Sequence, residues 1–268
     1  MNRKAYASDL TDVSWALLAP LIPPEKRGGR HRSVVMREVI NAIFYVLRSG
    51  CAWRLLPHDF PAWQTVYGSF NQWRRDGLWE QLNAALCATV RAQEDRAAEP
   101  TAGILDSQSV KTTAVAGERG YAGAKQVTGR KRHILVDVLG LLLKVVVTAA
   151  NVPERAGGKQ LLAAALAQGF AELVLIWADA GYSGPAFADW VLTHCGWLVE
   201  VIKRSADATG FVVLPRRWVV ERTFGWLVRC RRLSKDYEVL SATSEAWIYA
   251  AMVQLMLSRL ARNPAVYL

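Results

Sequence analysis

The spacing of apolar residues changes near residue 100, and this change restricts the possible folds of the chain more than any other feature. Before residue 95, apolar side chains such as Val35, Val39 and Ile43 recur at helical spacing. After residue 101, short runs rich in Val, Ile and Leu alternate with glycines and polar residues, a pattern that indicates strands. The polar stretch 92–101 separates the two patterns. We therefore predict a small all-helical N-terminal domain over residues 1–95 and a second domain over residues 96–268.

The second domain is predicted to be α/β, because a hairpin next to strands that are linked by helices gives a mixed sheet with helices packed on it. The predicted strands are 104–110, 133–138, 141–149, 173–178 and 198–202. The predicted helices are 12–21, 33–48, 63–75 and 78–91 in the first domain, and 158–168, 185–194, 219–231 and 244–260 in the second. The tight turn between helices 63–75 and 78–91 is compatible with a helix-turn-helix, although most such pairs are simply packed helices.

Three acidic residues lie next to apolar segments, where a buried carboxylate is energetically unfavourable. Asp106 and Asp179 follow apolar runs, and Glu221 follows residues 218–220 at the start of an arginine-rich stretch. An acid set against apolar strands needs an ionic partner or a metal ion. Taken singly, each is more easily explained as a turn residue or as one partner of a surface ion pair. Asp137, just before the hairpin turn, is best explained as a turn residue.

Together the three acids could form one site. If the strands of Asp106 and Asp179 are neighbours, both carboxylates can point into one crevice, where their repulsion calls for a cation. A pair of Mg²⁺ ions would satisfy this need and act on a phosphodiester. On a helix, Glu221 lies at the edge of a predicted apolar stripe, and the residues on its side are Arg217, Gly225, Val228 and Arg232. We expect Gly225 to leave room for a close backbone approach.

Composition favours a basic globular protein. The chain has a formal net charge of +10 and 52% hydrophobic residues, without an apolar run long enough for a membrane helix. We expect a cytoplasmic protein, with its four scattered cysteines as free thiols. A basic surface is typical of nucleic-acid binding, but a merely soluble basic surface explains the charge equally well. The tryptophans at helical apolar positions indicate core packing.

Four segments carry a resemblance to a known family. Residues 104–111 and 129–137 resemble the first-aspartate region of bacterial insertion-sequence transposases, and residues 177–182 resemble the second-aspartate motif. Residues 218–227, continued by 231–238, resemble the glutamate motif of the same family, the insertion sequence five group of the Asp-Asp-Glu superfamily. The resemblance extends to residues 53–57 and Trp73, and so covers nearly the whole chain.

The resemblance implies an RNase H-like catalytic domain in which Asp106, Asp179 and Glu221 bind two Mg²⁺ ions, for which Mn²⁺ can substitute. It implies binding and cleavage of the inverted-repeat ends of a DNA element, followed by joining of the freed 3′-hydroxyl to target DNA. A homodimer or higher oligomer on DNA is expected. A related group has a tyrosine and a lysine where this chain has Leu214 and Val228, although Arg217 fits its arginine. How the DNA end is held is therefore open.

Basic residues near the acids are predicted to contact DNA. Lys131, Arg132 and His133 precede a predicted strand, and we expect phosphate contacts there, although His133 could equally be a buried, hydrogen-bonded residue. The other predicted DNA-contact residues are Arg217, Arg222, Arg229, Arg232 and Lys235.

Other functions remain open from the residues alone. A non-catalytic DNA-binding protein derived from a mobile element would be expected to lack one of the acids, and all three are present. A nuclease of the same fold acting on RNA or on DNA junctions is compatible with the motifs. A glycosidase with paired carboxylates would not need so basic a surface.

Overall fold

The computed structural model describes residues 3–25, 33–114, 117–202 and 215–262. The apolar spacing before residue 95 produces helices, as predicted. Gly77, with a φ of 70°, forms the tight turn between the last two of them. These helices are α1 (Asp12–Leu18), α2 (Met36–Ser49), α3 (Trp63–Arg75) and α4 (Leu78–Gln93).

The second part of the chain forms the predicted mixed sheet with helices on it. The strands are β1 (Ala102–Lys111), β2 (Gly120–Ala122), β3 (Val127–Val136), β4 (Leu142–Ala149), β5 (Leu175–Ala178) and β6 (Leu198–Val201). The helices are α5 (Glu154–Gln168), α6 (Pro185–Cys195), α7 (Pro215–Val228) and α8 (Ser241–Leu260). Along the sheet the order is β2-β3-β1-β5-β6, and β4 also pairs with β3. The central strand β1 runs antiparallel to β3 and parallel to β5. This arrangement confirms the RNase H-like class.

Asp137 has the turn-forming role that its position predicted. Its Oδ1 accepts hydrogen bonds from the backbone N–H groups of Leu139 at 2.9 Å and Leu141 at 2.8 Å. Its other carboxylate oxygen pairs with the buried guanidinium of Arg91 at the end of α4. The hairpin between β3 and β4 is therefore tied to the helical part of the chain.

The two faces of the sheet carry different cores. Ile104 on β1 belongs to a core that includes residues of α2, α4, α7 and α8, whereas Leu105 points to the opposite face, where α5 and α6 pack. On the first face, Phe70 of α3 stacks on Trp247 of α8 with ring centroids 4.2 Å apart. The helices before residue 95 thus share a core with the C-terminal helix. Whether 1–95 and 96–268 are separate domains stays a prediction.

The sequence placed the start of β3 too late. The segment 117–129, between the predicted strands 104–110 and 133–138, contains β2 and the beginning of β3. Gly129 permits the pairing, because a Cβ at this position would lie 2.0 Å from the carbonyl oxygen of Val110 on β1. Consequently Lys131, Arg132 and His133 lie within a central strand and not before one.

The sequence also placed the end of α7 three residues too late. The helix ends at Val228, and a separate 3-10 turn spans Arg231–Leu233, because Cys230 and Leu233 turn inward to 4% and 2% exposure. Arg232 therefore does not continue the helical face of Glu221. Among the described residues, no close backbone approach is found at Gly225, since a Cβ there would meet no atom of another element within 4 Å.

Candidate active site

Asp106 and Asp179 lie side by side on neighbouring parallel strands. Leu105 of β1 pairs with Ala178 of β5, so the next residue on each chain segment is an aspartate. Neighbouring strands lie roughly 4.8 Å apart, and successive side chains alternate between faces. Since Asp179 continues with extended backbone, both carboxyl groups project to the same face as Ile104. The strands of Asp106 and Asp179 are therefore neighbours, as the predicted crevice required.

Each aspartate is oriented by a backbone N–H group close to it in sequence. The N–H of Ser107 donates to Oδ1 of Asp106 at 2.6 Å, and the N–H of Gly181 donates to Oδ1 of Asp179 at 3.0 Å. Burial raises the pKa of Asp106 to about 7, and the neighbouring charge of Asp179 acts in the same direction. A second ionised carboxylate in this crevice is therefore disfavoured unless a cation is present.

Helix α7 brings Glu221 to the same face of the sheet. Val220, Phe224 and Leu227 are 1%, 7% and 0% exposed, so they form the buried stripe predicted for this helix. Glu221 lies at its edge with half of its side chain exposed. Nη2 of Arg217 lies 3.6 Å from Oε1 of Glu221 and 3.9 Å from Oδ2 of Asp179. One guanidinium thus links the glutamate to the aspartate pair.

The acids do not converge on a single point. Within the described ranges, no three His, Cys, Asp or Glu side chains form a group that could hold a metal ion. Arg217 occupies the space between the acid of α7 and the acid that follows β5. Two aspartates are thus positioned by the strand register, whereas the glutamate is held near them through an arginine.

A fourth carboxylate near the site escaped the sequence analysis. A Cβ on Gly181 would lie 2.3 Å from Oε2 of Glu154 and 3.0 Å from Oδ1 of Asp179, so both carboxylates border the same glycine. The sequence analysis began α5 at Gly158, four residues too late, and therefore missed Glu154. An acid in the first turn of a helix is a recognised N-terminal signal, and it could have corrected the start of this helix.

The three residues of β3 that were predicted to contact phosphate are directed into the protein. Arg132 and His133 are 0% exposed and Lys131 is 6% exposed. The guanidinium of Arg132 donates to the carbonyl oxygen of Leu233 at 2.8 Å, and Nε2 of His133 lies 3.1 Å from Oγ1 of Thr148. We therefore remove Arg132 and His133 from the residues expected to contact phosphate. The alternative of a buried, hydrogen-bonded His133 agrees with the structure.

The basic residues of the glutamate region divide into two sets. Arg222 donates to the carbonyl oxygen of Leu139 at 2.9 Å and lies over two tryptophan rings. Arg232 pairs with Glu238, and its side chain is only 10% exposed. By contrast, Arg229 and Lys235 are exposed. Of the residues predicted to contact DNA in this region, the exposed pair and Arg217 are placed where DNA could reach them without rearrangement. Leu214 lies outside the described residues.

The helix pair α3 and α4 is asymmetric. Helix α4 packs on β4 and α8, and Arg91, its one basic residue, is 5% exposed. The outer side of α3 carries the exposed Arg75. If this pair docks on DNA, α3 is therefore the helix that faces it; the helix-turn-helix itself stays a prediction. Among the described helices, none is both long and apolar enough to span a membrane.

Comparison with known proteins agrees with the geometry. The family described as "Transposase DDE domain" matches residues 97–256, and the family described as "Putative transposase of IS4/5 family" matches residues 10–83. An insertion element IS402 protein of 16.2 kDa from Burkholderia cepacia, uncharacterized by its own description, is 30% identical over 109 residues. That alignment covers 38% of this chain and 72% of the relative. The chain therefore belongs to the DDE-domain transposases of insertion sequences.

Proposed function

We propose that this transposase binds the inverted-repeat ends of its insertion sequence, cleaves them and joins the freed 3′-hydroxyl ends to target DNA. The observation that carries the proposal is the register of β1 and β5, which sets Asp106 beside Asp179. Two adjacent carboxyl groups on a face bordered by basic residues suit a cation site that acts on a polyanion.

The adjacent carboxyl groups of Asp106 and Asp179 suit divalent cations. Carboxylate oxygens are the ligands that Mg²⁺ prefers, and the raised pKa of Asp106 shows that the crevice disfavours a second uncompensated negative charge. Asp106, Asp179 and Glu221 would hold two Mg²⁺ ions, for which Mn²⁺ can substitute. When bound, such ions supply activation of the attacking oxygen and stabilisation of the leaving oxygen. The half-exposed side chain of Glu221 can turn toward the aspartates, because burial does not restrain it.

Arg217 would then exchange partners. In the structure its guanidinium serves as the counter-ion of Asp179 and Glu221, at 3.9 and 3.6 Å. With cations neutralising both acids, the same guanidinium becomes available for a phosphate oxygen, which it can bind with two parallel hydrogen bonds. Arg229 and Lys235, both exposed, are proposed as further backbone contacts.

The metal-ligand assignment is tested with isosteric variants. We expect Asp106→Asn, Asp179→Asn and Glu221→Gln each to abolish Mg²⁺-dependent cleavage of the element's end, since each removes an anionic ligand. Binding of the same DNA, measured by fluorescence anisotropy in Ca²⁺, should persist. The matched control is Asp189→Asn, which neutralises an exposed acid on α6. Cleavage at the wild-type rate by any of the three variants would remove that residue from the ligand set.

The number of copies on DNA is a further part of the proposal. Two ends of one element must be brought together, so a homodimer or higher oligomer is expected on the DNA. Light scattering of the Ca²⁺ complex with an end duplex measures this number, and a monomer bound to a single end under all conditions would contradict the expectation.

A further inference from the structure

A cavity of about 450 Å³ opens beside the loop that follows Asp179. Gly181, two residues past Asp179, and the 3-10 turn Gly123–Lys125 both line it. We call this cavity the basic pocket and define it by the side chains that line it: Ser109, Tyr121, Lys125, Lys131, Asn151 and Arg155. Neither the metal site nor the proposed grip on the duplex uses it.

Charge in the basic pocket favours an anion. Lys125, Lys131 and Arg155 line it against a single acid, Glu154. Oε1 of Glu154 lies 3.3 Å from Nζ of Lys125, and Arg155 donates to the carbonyl oxygen of Gly181 at 3.3 Å. Three cations therefore share one carboxylate, and the remaining positive charge has no counter-ion on the pocket wall.

Lys131 and Ser109 are the buried polar groups of the pocket. In the described chain, the ammonium group of Lys131 has one hydrogen bond, to the carbonyl oxygen of Val152 at 2.7 Å, although the residue is only 6% exposed. Burial lowers the pKa of Lys131, and the charge of Lys125 acts in the same direction. Oγ of Ser109, which faces Lys131 across β1 and β3, is buried without a hydrogen-bond partner among the described residues. A buried cation and an unsatisfied hydroxyl are costly unless a ligand meets them.

The start of α5 adds backbone donors to the same wall. The helix begins at Glu154, and its N-cap residue, Pro153, makes no side-chain capping hydrogen bond. The first N–H groups of a helix have no partner within the helix and attract anions such as phosphate. These donors and the cations point to a phosphate group as the anion.

An aromatic ring lies at the mouth of the pocket. Tyr121 on β2 is 57% exposed and lines the cavity. Exposed aromatic rings stack on unpaired bases. The volume is within the range of small-ligand sites. Gly181 lines the cavity and follows Asp179 by two residues, so a nucleotide in it would lie beside the loop that carries this aspartate.

We infer that the basic pocket takes up one unpaired nucleotide of the DNA strand at the cleavage position, with its phosphate against Lys125, Lys131 and Arg155 and its base on Tyr121. This inference rests on the proposed function, because it places the DNA end at Asp106 and Asp179. It adds a step to that function: the end of the element is locally unpaired before it is cut.

The test compares paired and mismatched DNA. Two sets of duplexes carry the element's end, one fully paired and one with a single mismatch scanned across the cleavage position, and binding is measured in Ca²⁺, without cleavage. An unpaired nucleotide removes the cost of opening the base pair, so the wild type should bind one mismatched duplex at least about threefold more tightly. Tyr121→Ala and the double variant Lys125→Ala/Arg155→Ala should lose this preference. The matched control is Lys159→Ala, which removes a charge from α5, the helix of Arg155, outside the pocket. This variant should keep the preference for mismatched DNA.

A second probe does not depend on recognition of the DNA end. Labelled hexathymidylate should bind the double variant more weakly than the wild type, with the salt slope reduced by about 1.4 if two phosphate contacts are lost. An unchanged slope together with an unchanged mismatch preference would overturn the inference. If the wild type cleaves paired ends but prefers no mismatch, the pocket inference fails and the transposase function stands. If it neither binds nor cleaves the ends, the proposed function fails, and the hexathymidylate result alone decides whether the pocket takes up a nucleotide.

Discussion

Arginine side chains on β3 hold the fold together, although Arg132, which precedes a predicted strand, was expected to contact DNA. Arg130 pairs with Asp236 at 3.1 Å with both side chains 1% exposed. Arg132 donates to the carbonyl oxygens of Leu233 and Lys235. Both arginines reach across the sheet to the segment that connects α7 and α8. Their planar groups with several donors suit this task, because they satisfy carbonyl oxygens that no strand partner reaches.

We predict that Arg132→Met destabilises the protein by about 2–3 kcal/mol, because it removes charge-assisted hydrogen bonds and leaves buried carbonyl oxygens unpaired. The salt dependence of DNA binding should not change. Thermal unfolding and anisotropy titrations at several salt concentrations measure the two effects. The matched comparison is Lys235→Ala, an exposed position, where we expect an unchanged melting temperature and a salt slope lowered by about 0.9. A lowered salt slope with unchanged stability in Arg132→Met would make Arg132 a DNA contact. An unchanged salt slope with lowered stability in Lys235→Ala would make Lys235 a structural residue.

At the scale of elements, β4 shows how the sheet edge is protected. Its outer side is covered by α4 and α8, and polar contacts from both helices reach it. Nδ2 of Asn83 donates to the carbonyl oxygen of Leu142 at 2.7 Å, Lys144 pairs with Glu80, and the N–H of Val147 donates to Glu245 at 2.8 Å. An uncovered edge would be open to pairing with another chain. Contacts of this kind join helices from the two ends of the chain to one strand.

Glu245 should make the stability of the protein depend on pH. Burial raises its pKa from 4.5 to about 7, so the folded protein holds this proton more tightly than the unfolded chain. Its contribution is therefore fully present below pH 4.5 and is lost as the pH rises to about 7, by no more than about 3 kcal/mol. Glu245→Gln should remove this part of the pH dependence in denaturant titrations, whereas Glu172→Gln, at an exposed position, should not. Parallel pH curves for the wild type and Glu245→Gln would contradict the prediction.

At the scale of the whole molecule, the helical segment before residue 95 and the C-terminal helix α8 depend on each other. Trp247, Ile248 and Met252 of α8 are at most 1% exposed, and α2, α3 and α4 are among the elements that pack on this helix. Residues 10–83 and 97–256 match separate families, yet they share one core. We conclude that a separate family match does not imply an independent fold here.

We therefore predict one cooperative unfolding transition for the full chain, with coincident curves by near-ultraviolet and far-ultraviolet circular dichroism. A chain of residues 96–268 alone should lack fixed tertiary packing, because the tryptophan and aliphatic side chains of α8 would be exposed. It should bind a hydrophobic dye and lose its near-ultraviolet signal. A truncated chain with a sharp transition and a native near-ultraviolet spectrum would show that the predicted boundary separates two domains.

Local pattern was enough for most of the elements and for the identity of the acids. Helix α3 has the bounds predicted for it, and β5 was predicted within two residues because its apolar run is short and continuous. Asp106, Asp179 and Glu221 were found because charge beside apolar residues is visible in one dimension. Spacing along the chain is a local property, so periodicity and motif order can reveal it without knowledge of the fold.

Tertiary structure alone decided which charged groups share a space. The register of β1 and β5 set Asp106 beside Asp179. Because α7 ends at Val228, Arg232 does not share the helical face of Glu221. The side chain of Arg132 is buried and points inward. Glu154 and the basic pocket became visible only when α5 was packed on the sheet. Each depends on contacts between residues that are distant in sequence, and the energy of such contacts comes from burial and strand pairing, which no local pattern records.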